Sequence, residues 1–177
     1  MNYNLKHNVI LIGFMGCGKT SVGERLAKRL SYHFQDTDHI IEQKVGDTIR
    51  NLFSQQGEEY FRTLETNTLL ALKSTLTHTV LSTGGGLPLK AQNAKILKEL
   101  GYVVFLKASK ETTIKRLKDD TTRPLLAGDD LEDKVDRLLS LRTPFYEKAA
   151  HKIVATDGKT FEEIMDYIME AYLKQIS

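Results

Sequence analysis

The stretch "GFMGCGKTSVG", residues 13–23, decides the fold. It lies where an apolar run gives way to an amphipathic pattern, and Gly13, Gly18, Lys19 and Thr20 fit G-x-x-x-x-G-K-[ST]. This pattern is typical of a phosphate-binding loop between a strand and a helix, where main-chain N–H groups and the positive helix end bind an anion. We expect the lysine to bind the β- and γ-phosphates and the threonine hydroxyl to bind Mg²⁺. The alternative is a glycine-rich turn that only packs tightly.

Strands and helices alternate along the rest of the chain. Strands are predicted at residues 9–14, 33–36, 80–83, 102–108 and 152–156. The first and fourth are almost continuously apolar, as in strands buried on both faces of a parallel sheet. Thr160 and Glu163 predict a capping box, and the apolar face of the last helix is predicted to hold Phe161, Ile164, Ile168 and Tyr172. This alternation predicts a doubly wound α/β fold, in which ligands collect at the carboxyl ends of the strands.

Composition indicates an ordinary folded protein. The 177 residues are 41% apolar and 27% charged, with a formal net charge of +2, so we expect a single domain over residues 1–177. Lysines and arginines are scattered among acidic residues, which argues against a nucleic-acid or membrane surface. No apolar run reaches the roughly 18 residues that span a bilayer, and the polar start does not resemble a signal peptide. The lone Cys17 fits a reducing compartment, so we expect a cytoplasmic protein, and a monomer.

Two aspartates follow the second predicted strand in "FQDTD". The segments "VLSTGGG" and "VVFLKAS", which close later strands, carry no aspartate. Asp36 and Asp38 are two residues apart, so on an extended chain they point the same way and would repel each other unless a cation or donor lay between them. We therefore assign Asp36 to Mg²⁺, through water, and Asp38 to a hydroxyl of the phosphate acceptor. The alternative is that "DTDH" only caps the next helix.

Further candidates for the acceptor site are dispersed along the chain. Arg62 and Glu65 are three residues apart on one predicted helix face and can pair, although such pairs are more often solvated. Residues 84–86 are three consecutive glycines at the end of the third predicted strand, which would let a small ligand lie against the main chain. The alternative for these glycines is a simple turn into the next helix.

Two arginines stand at expected breaks in helical structure. Residues 122–130, "TRPLLAGDD", are too apolar for a solvated loop and too broken for a long helix, and predict a mobile lid that brings Arg123 to the phosphates. Arg142 precedes Pro144 by two residues, so we expect the proline to end or kink the helix and to leave the arginine pointing into a cleft. Capping of main-chain carbonyls is the alternative for this arginine.

The order of these segments resembles the shikimate kinase family. The matching pieces are "GFMGCGKTSVG", "DTDHIIE", "FRTLE", "STGGG", "TRPLLAG" and "RTPFYEKAA", and the likeness extends to "VATDGKTFEEI". Cys17 and Thr20 stand where serine is frequent in the family, and threonine keeps the hydroxyl. The resemblance implies Mg²⁺-dependent transfer of the γ-phosphate of ATP to the 3-hydroxyl of shikimate, in the chorismate route to aromatic amino acids. It also implies the strand order 2-3-1-4-5, a lid at about residues 115–130 and a shikimate-binding helical region at about residues 37–65.

The resemblance also assigns residues to roles. Shikimate is implied to bind at Asp38, Arg62, Gly84, Gly85, Gly86 and Arg142. ATP is implied to bind at Gly16, Cys17, Gly18, Lys19, Thr20, Ser21, Arg116, Arg123, Thr156 and Asp157. The metal ligands are then Thr20 and Asp36, and the catalytic residues are Lys19, Asp38 and Arg123.

Two rival functions share the glycine-rich loop. The first is another small-molecule kinase, acting on gluconate or a nucleoside monophosphate, for which the aspartates, "FRTLE" and the three glycines would have no explanation. The second is a non-catalytic ATP-binding switch, against which every polar residue needed for the reaction is present.

Overall fold

A computed structural model describes residues 7–118 and 130–177. Its strands are β1 (Asn8–Ile12), β2 (His33–Asp36), β3 (Thr79–Ser82), β4 (Tyr102–Lys107) and β5 (Lys152–Ala155). Its α-helices are α1 (Lys19–Leu30), α2 (Thr37–Val45), α3 (Ile49–Thr75), α4 (Ala91–Leu100), α5 (Lys110–Leu117), α6 (Leu131–Ala149) and α7 (Phe161–Ile176). A short 3-10 turn, Leu87–Leu89, follows the three glycines.

The strands form one parallel sheet in the order β2-β3-β1-β4-β5, which confirms the predicted α/β fold and strand order. Strand β1 pairs with β3 on one side, Leu11 opposite Ser82, and with β4 on the other. The prediction placed the end of β1 two residues too late, because Gly13 and Phe14 already belong to the loop that leaves the sheet.

The core lies on both faces of the sheet. Ile10 and Ile12 face one apolar cluster, with α3, α4 and α6, whereas Val9 and Leu11 face the other, with α1 and α7. All of these side chains in β1 are completely buried. The continuous apolar run that identified the strand in the sequence is therefore explained by helices on both sides.

Asn8 lies at the amino-terminal end of β1, the central strand of the sheet. Its side-chain amide donates to the carbonyls of Leu76 and Leu100, at the ends of α3 and α4, at 3.2 and 2.8 Å. Its carbonyl oxygen accepts from the Thr79 N–H at 3.0 Å. One fully buried polar residue thus satisfies three main-chain groups on three elements.

The helix ends follow local sequence signals. Glu163 N–H donates to Thr160 Oγ1 at 3.2 Å, and Thr160 N–H donates to Glu163 Oε2 at 2.8 Å, which confirms the capping box of α7. Helix α3 is interrupted at Gly57, whose φ of 82° lies outside the helical range. The part of α3 after this interruption carries Arg62 and Glu65.

Helix α6 does not end at Pro144, so the first of the two predicted effects of this proline, a helix end, was wrong. The helix continues to Ala149 with the proline inside it. A proline in a helix interior costs about 3 kcal/mol, because it removes one hydrogen bond and crowds the preceding turn. Buried side chains on both sides of the proline, Arg142 and Tyr146 among them, hold α6 against the sheet and offset that cost.

Within the two described segments, no helix is both long enough and apolar enough to cross a membrane.

Candidate active site

A cavity of about 410 Å³ opens at the carboxyl ends of β1, β2 and β3. Predicted residues in its lining are Gly16, Cys17, Gly18, Lys19, Thr20, Ser21, Asp36, Asp38, Gly84, Gly85, Arg116 and Thr156. The remaining lining residues are Val22, Ser82, Thr83, Phe161 and Ile164. Residues that lie far apart in the sequence therefore meet at the sheet edge where ligands are expected.

The glycine-rich loop curls around the Lys19 side chain. Gly16 and Gly18 have φ values of 76° and 97°, in the left-handed region that favours glycine. The Lys19 ammonium donates to the carbonyls of Gly13 and Phe14 at 2.8 and 3.1 Å. The lysine therefore lies within the loop, at the start of α1, where the N-terminal end of the helix favours negative charge.

Cys17 packs beneath this loop. Its side chain is almost completely buried, and its Sγ lies 3.7 Å from Lys19 Nζ. A Cβ atom on Gly13 would lie 2.8 Å from that sulfur and 2.6 Å from the Leu106 carbonyl oxygen. Gly13 is needed here because the loop passes too close to β4 for any side chain.

One end of the cavity is built from α5, α7 and the loop between β5 and α7. Arg116 Nη1 donates to the Gly16 carbonyl at 2.9 Å, which ties α5 to the glycine-rich loop. Thr156 is buried in the lining. Phe161 and Ile164, predicted to share one face of α7, both line the cavity, although Phe161 is 40% exposed. The Arg25 guanidinium lies 4.3 Å from the centroid of the Phe161 ring. The place of Phe161 at the first position of α7 puts it at the cavity mouth.

Asp157 does not belong to this lining. Its carboxylate accepts from the Ser109 N–H at 2.9 Å and from the Ser109 hydroxyl at 2.8 Å. Hydrogen bonds from Thr112 and Ser109 lower the pKa of Asp157. The aspartate therefore anchors the start of α5, the helix that carries Arg116.

Asp36 and Asp38 both line the cavity, but not as neighbours on an extended chain. Asp36 ends β2, whereas Asp38 lies in the first turn of α2. Asp36 Oδ1 accepts from the N–H groups of Asp38 and His39 at 2.9 and 3.4 Å, so the predicted capping alternative is present. Capping does not exclude a second role, since both cap bonds use the same oxygen.

The residues at this point fit a Mg²⁺ ion. Thr20 and Asp36 bring a hydroxyl and a carboxylate to the same cavity, and Mg²⁺ binds through oxygen atoms, usually one or two carboxylates with water and substrate phosphates. Over residues 7–118 and 130–177, no cluster of three histidine, cysteine, aspartate or glutamate side chains could hold a metal by itself. A metal here would depend on the phosphates of the nucleotide.

Arg62 and Glu65 form a half-buried pair, not the solvated pair of the alternative interpretation. Arg62 Nη1 donates to Glu65 Oε2 at 2.8 Å, and the Glu65 side chain is completely buried. Burial raises the pKa of Glu65 to about 7, and the charge of Arg62 opposes that rise. Glu58, on the exposed side, accepts from Arg62 Nη2 at 3.1 Å.

Two of the three glycines after β3, Gly84 and Gly86, make room for neighbouring side chains. A Cβ atom on Gly84 would lie 2.8 Å from Asp38 Oδ1 and 3.0 Å from Glu65 Oε1. A Cβ atom on Gly86 would lie 2.6 Å from Arg62 Cζ. A simple turn would not require glycine at both positions, so the turn brings the main chain against these side chains.

Arg142 reaches the same turn from α6. Its side chain is buried, and its Nη1 would lie 3.8 Å from a Cβ atom on Gly85. Its guanidinium also lies 5.7 Å from the centroid of the Phe14 ring. Arg62, Gly86 and Arg142 are not part of the cavity lining, and they adjoin it through Gly84 and Gly85.

Arg123 and residues 119–129 of the predicted lid lie outside the described residues. The predicted span begins within α5, which ends at Leu117.

A parallel sheet, with a glycine-rich loop after β1 and polar side chains around the three glycines after β3, defines a P-loop kinase that phosphorylates a small molecule. A family model described as "Shikimate kinase" matches residues 15–173. The chain belongs to the shikimate kinase family.

Individual relatives agree with this assignment over nearly the whole chain. A shikimate kinase from Microcystis aeruginosa is 44% identical over 93% of this chain and 85% of that protein. A shikimate kinase from Caldanaerobacter subterraneus is 40% identical over 94% and 96%. The structure of a shikimate kinase from Acinetobacter baumannii in complex with shikimate superimposes with a TM-score of 0.90, at 40% identity, covering 97% of this chain and 95% of that one.

Proposed function

We propose that this protein transfers the γ-phosphate of ATP to the 3-hydroxyl of shikimate, giving shikimate 3-phosphate and ADP for aromatic amino-acid biosynthesis. The observation that carries the proposal is the meeting of two half-sites on neighbouring strands. The glycine-rich loop follows β1, and the three glycines enclosed by Asp38, Glu65, Arg62 and Arg142 follow β3. Family membership and the shikimate-bound relative from Acinetobacter baumannii support the choice of acceptor.

On the donor side, main-chain N–H groups of the loop and the Lys19 ammonium bind the phosphates. Lys19 exchanges its bonds to the carbonyls of Gly13 and Phe14 for bonds to phosphate oxygens. Arg116 and the loop at Thr156 contact the adenine base. Arg123, outside the described residues, is assigned to the transferred phosphate by the family resemblance alone. Asp157 acts indirectly, because it holds the start of α5.

On the acceptor side, two guanidinium groups suit a small acid that carries hydroxyls. Arg62 and Arg142 bind the shikimate carboxylate, because the planar fork of arginine matches a carboxylate and the lysine ammonium does not. Asp38 accepts hydrogen bonds from ring hydroxyls and aims the 3-hydroxyl at the γ-phosphorus. Gly84, Gly85 and Gly86 let the ring lie against the main chain.

Mg²⁺ would be held by the Thr20 hydroxyl and, through water, by Asp36. When bound, it would neutralise charge on the β- and γ-phosphate oxygens.

In the transfer step, the 3-hydroxyl oxygen forms a bond to the γ-phosphorus while the bond from that phosphorus to the β–γ bridging oxygen breaks. The hydroxyl proton leaves towards Asp38, and ADP departs with the bridging oxygen. The transition state of such transfers is loose, so positioning and charge neutralisation contribute more than proton removal. Asp38 is therefore first an orienting group and second a base.

The test is release of ADP by purified protein with Mg-ATP and shikimate, compared with gluconate and CMP as acceptors. We expect ADP release that depends on shikimate and stops when Mg²⁺ is chelated. ADP release with gluconate or CMP alone would favour another kinase, and no release with any acceptor would favour a non-catalytic switch.

A matched pair of variants links this activity to the site. Arg62→Ala should raise the KM for shikimate sharply and leave ATP affinity intact. Arg29→Ala removes an exposed arginine that pairs with Glu162 and Asp166, and should leave both unchanged. Equal loss of ATP and shikimate affinity in Arg62→Ala would contradict the assignment.

A monomeric state and a cytoplasmic location remain part of the proposal. Size-exclusion chromatography with light scattering tests the first, and cell fractionation tests the second.

A further inference from the structure

Tyr146 is a fully buried residue of α6 to which the reaction described above gives no role. Its hydroxyl donates to the carbonyl oxygen of Gly85 at 2.6 Å. Burial raises the pKa of this hydroxyl to about 12, against the charge and hydrogen bond of Arg142. The hydroxyl is therefore protonated, and able to donate a hydrogen bond, at neutral pH.

The Tyr146 hydrogen bond falls on the middle of three consecutive glycines, which have no side chains of their own to restrain the segment. Glycine has more main-chain freedom than any other residue, so the peptide between Gly85 and Gly86 could turn over at little cost. The C=O and N–H of a trans peptide point in opposite directions. Because Tyr146 holds the Gly85 carbonyl towards α6, the Gly86 N–H of the same peptide points away from α6.

Tyr146 also connects this peptide to Arg142. The two residues are four apart on α6 and therefore share a face of the helix. Arg142 Nη1 would lie 3.8 Å from a Cβ atom on Gly85, so the arginine lies beside the glycine whose carbonyl accepts from Tyr146. The Tyr146 ring packs against Phe105 of β4, with centroids 5.1 Å apart, which fixes its position relative to the sheet.

We propose that Tyr146 is a positioning residue for the acceptor: its hydroxyl holds the Gly85–Gly86 peptide in one orientation beside Arg142 and so sets the affinity for shikimate. This rests on the proposed function, because it assumes that shikimate lies on the three glycines. Tyr146 itself does not touch the substrate.

The test compares Tyr146→Phe with Tyr172→Phe. Each removes one hydroxyl from an almost completely buried tyrosine and keeps the ring. The Tyr172 hydroxyl lies 3.0 Å from that of Tyr32, outside the cavity lining, so Tyr172→Phe measures the loss of a buried hydroxyl alone. We expect Tyr146→Phe to raise the KM for shikimate about tenfold, which corresponds to loss of one well-placed hydrogen bond, with the KM for ATP unchanged. Tyr172→Phe should leave both constants unchanged.

A second measurement does not depend on turnover. Ligands that bind only the folded protein raise its Tm, so the Tm shift caused by shikimate should shrink in Tyr146→Phe while the shift caused by ATP persists. An active wild-type protein with an unchanged shikimate KM in Tyr146→Phe would overturn the inference, as would equal losses of shikimate and ATP affinity. A wild-type protein that releases no ADP with shikimate would instead overturn the proposed function, and the inference with it.

Discussion

Arg62 Nη1 donates a hydrogen bond to Glu65 Oε2 at 2.8 Å, at the boundary between solvent and core. The Glu65 side chain is completely buried, whereas 24% of the Arg62 side chain is exposed. A buried carboxylate partner restricts the guanidinium to one direction, because the alternatives leave the acid without its donor. The pair therefore presets the Arg62 side chain beside Gly86.

Glu65→Gln should weaken shikimate binding through Arg62. The variant keeps the shape of the side chain and loses the charge-assisted hydrogen bond, so we expect the KM for shikimate to rise about tenfold or more while ATP affinity is unchanged. Glu58→Gln is the control, because Glu58 also bonds to Arg62 but is 58% exposed, and its effect should be below about twofold. Equal effects of the two variants in steady-state assays would show that burial of Glu65 is irrelevant.

The same residue predicts a pH dependence of stability. Burial raises the pKa of Glu65 from 4.5 to about 7, with further contributions from Asp38 and Glu58 and opposition from Arg62. Since the folded protein binds this proton more tightly than the unfolded chain does, its contribution to stability is present below about pH 4.5 and is lost as the pH rises through about 7. Urea unfolding at several pH values should show the wild-type protein losing stability relative to Glu65→Gln across this window. A constant difference would mean that folding does not raise the pKa of Glu65.

The three glycines should differ in their tolerance of alanine. Gly84→Ala places a methyl group against the Asp38 and Glu65 carboxylates, and Gly86→Ala places one against the Arg62 guanidinium. Both should raise the KM for shikimate or abolish turnover. Gly85→Ala meets only atoms at 3.5 Å or beyond and should fold with a Tm close to that of the wild-type protein. Thermal unfolding of the three variants provides the comparison, and a lower Tm for Gly85→Ala than for the other two would contradict it.

Lys19→Met should reduce kcat by about 10²–10³-fold, because the lysine ammonium stabilises the negative charge that develops on the phosphate oxygens in the transition state. The control is Lys28→Met in the last turn of the same helix, which should retain full activity. Rapid-quench measurement of the chemical step separates this loss from weaker ATP binding. Near-normal turnover would mean that the lysine only stabilises the loop through the carbonyls of Gly13 and Phe14.

Asn8→Ala should lower the free energy of unfolding by about 3 kcal/mol, since it leaves three buried main-chain groups without their partner. The KM values should not change, because Asn8 lies at the amino-terminal end of β1 and the cavity lies at the carboxyl ends of the strands. Asn67→Ala, at an exposed position of α3, should change the free energy of unfolding by less than about 0.5 kcal/mol. Urea denaturation decides the matter, and a similar loss in both variants would refute the role given to Asn8.

Local sequence signals predicted the elements whose cause is local. The apolar run of β1, the glycine-rich loop and the capping box of α7 each depend on neighbouring residues, and each is present. The helix end expected at Pro144 was wrong because packing against distant parts of the chain maintains α6 beyond the proline. Phe161 shares the cavity lining with Ile164 of the same predicted face but remains exposed, since a residue at a helix start has few neighbours to cover it.

The residues proposed to bind the phosphate acceptor could not be placed relative to one another from their spacing in the sequence. A pair three residues apart can be solvated or buried, and only the fold places Glu65 in the core. Three adjacent glycines indicate a close approach without saying to what. The hydroxyl of Tyr146 had no sequence signal of its own, because its partner is a main-chain carbonyl 61 residues away.

The pairing of β1 with β3 has a consequence for how selectivity can change. The Leu11 carbonyl accepts from the N–H and the hydroxyl of Thr83 at 3.2 and 3.1 Å, just before the two glycine segments begin. Adjacent strands lie about 4.8 Å apart, a spacing maintained by bonds between main-chain atoms. The separation of the two glycine segments therefore depends on main-chain atoms, and we expect it to persist when side chains are substituted. A redesign for a different alcohol would keep the sheet as it is and exchange only the side chains that α2, α3 and α6 direct at the three glycines.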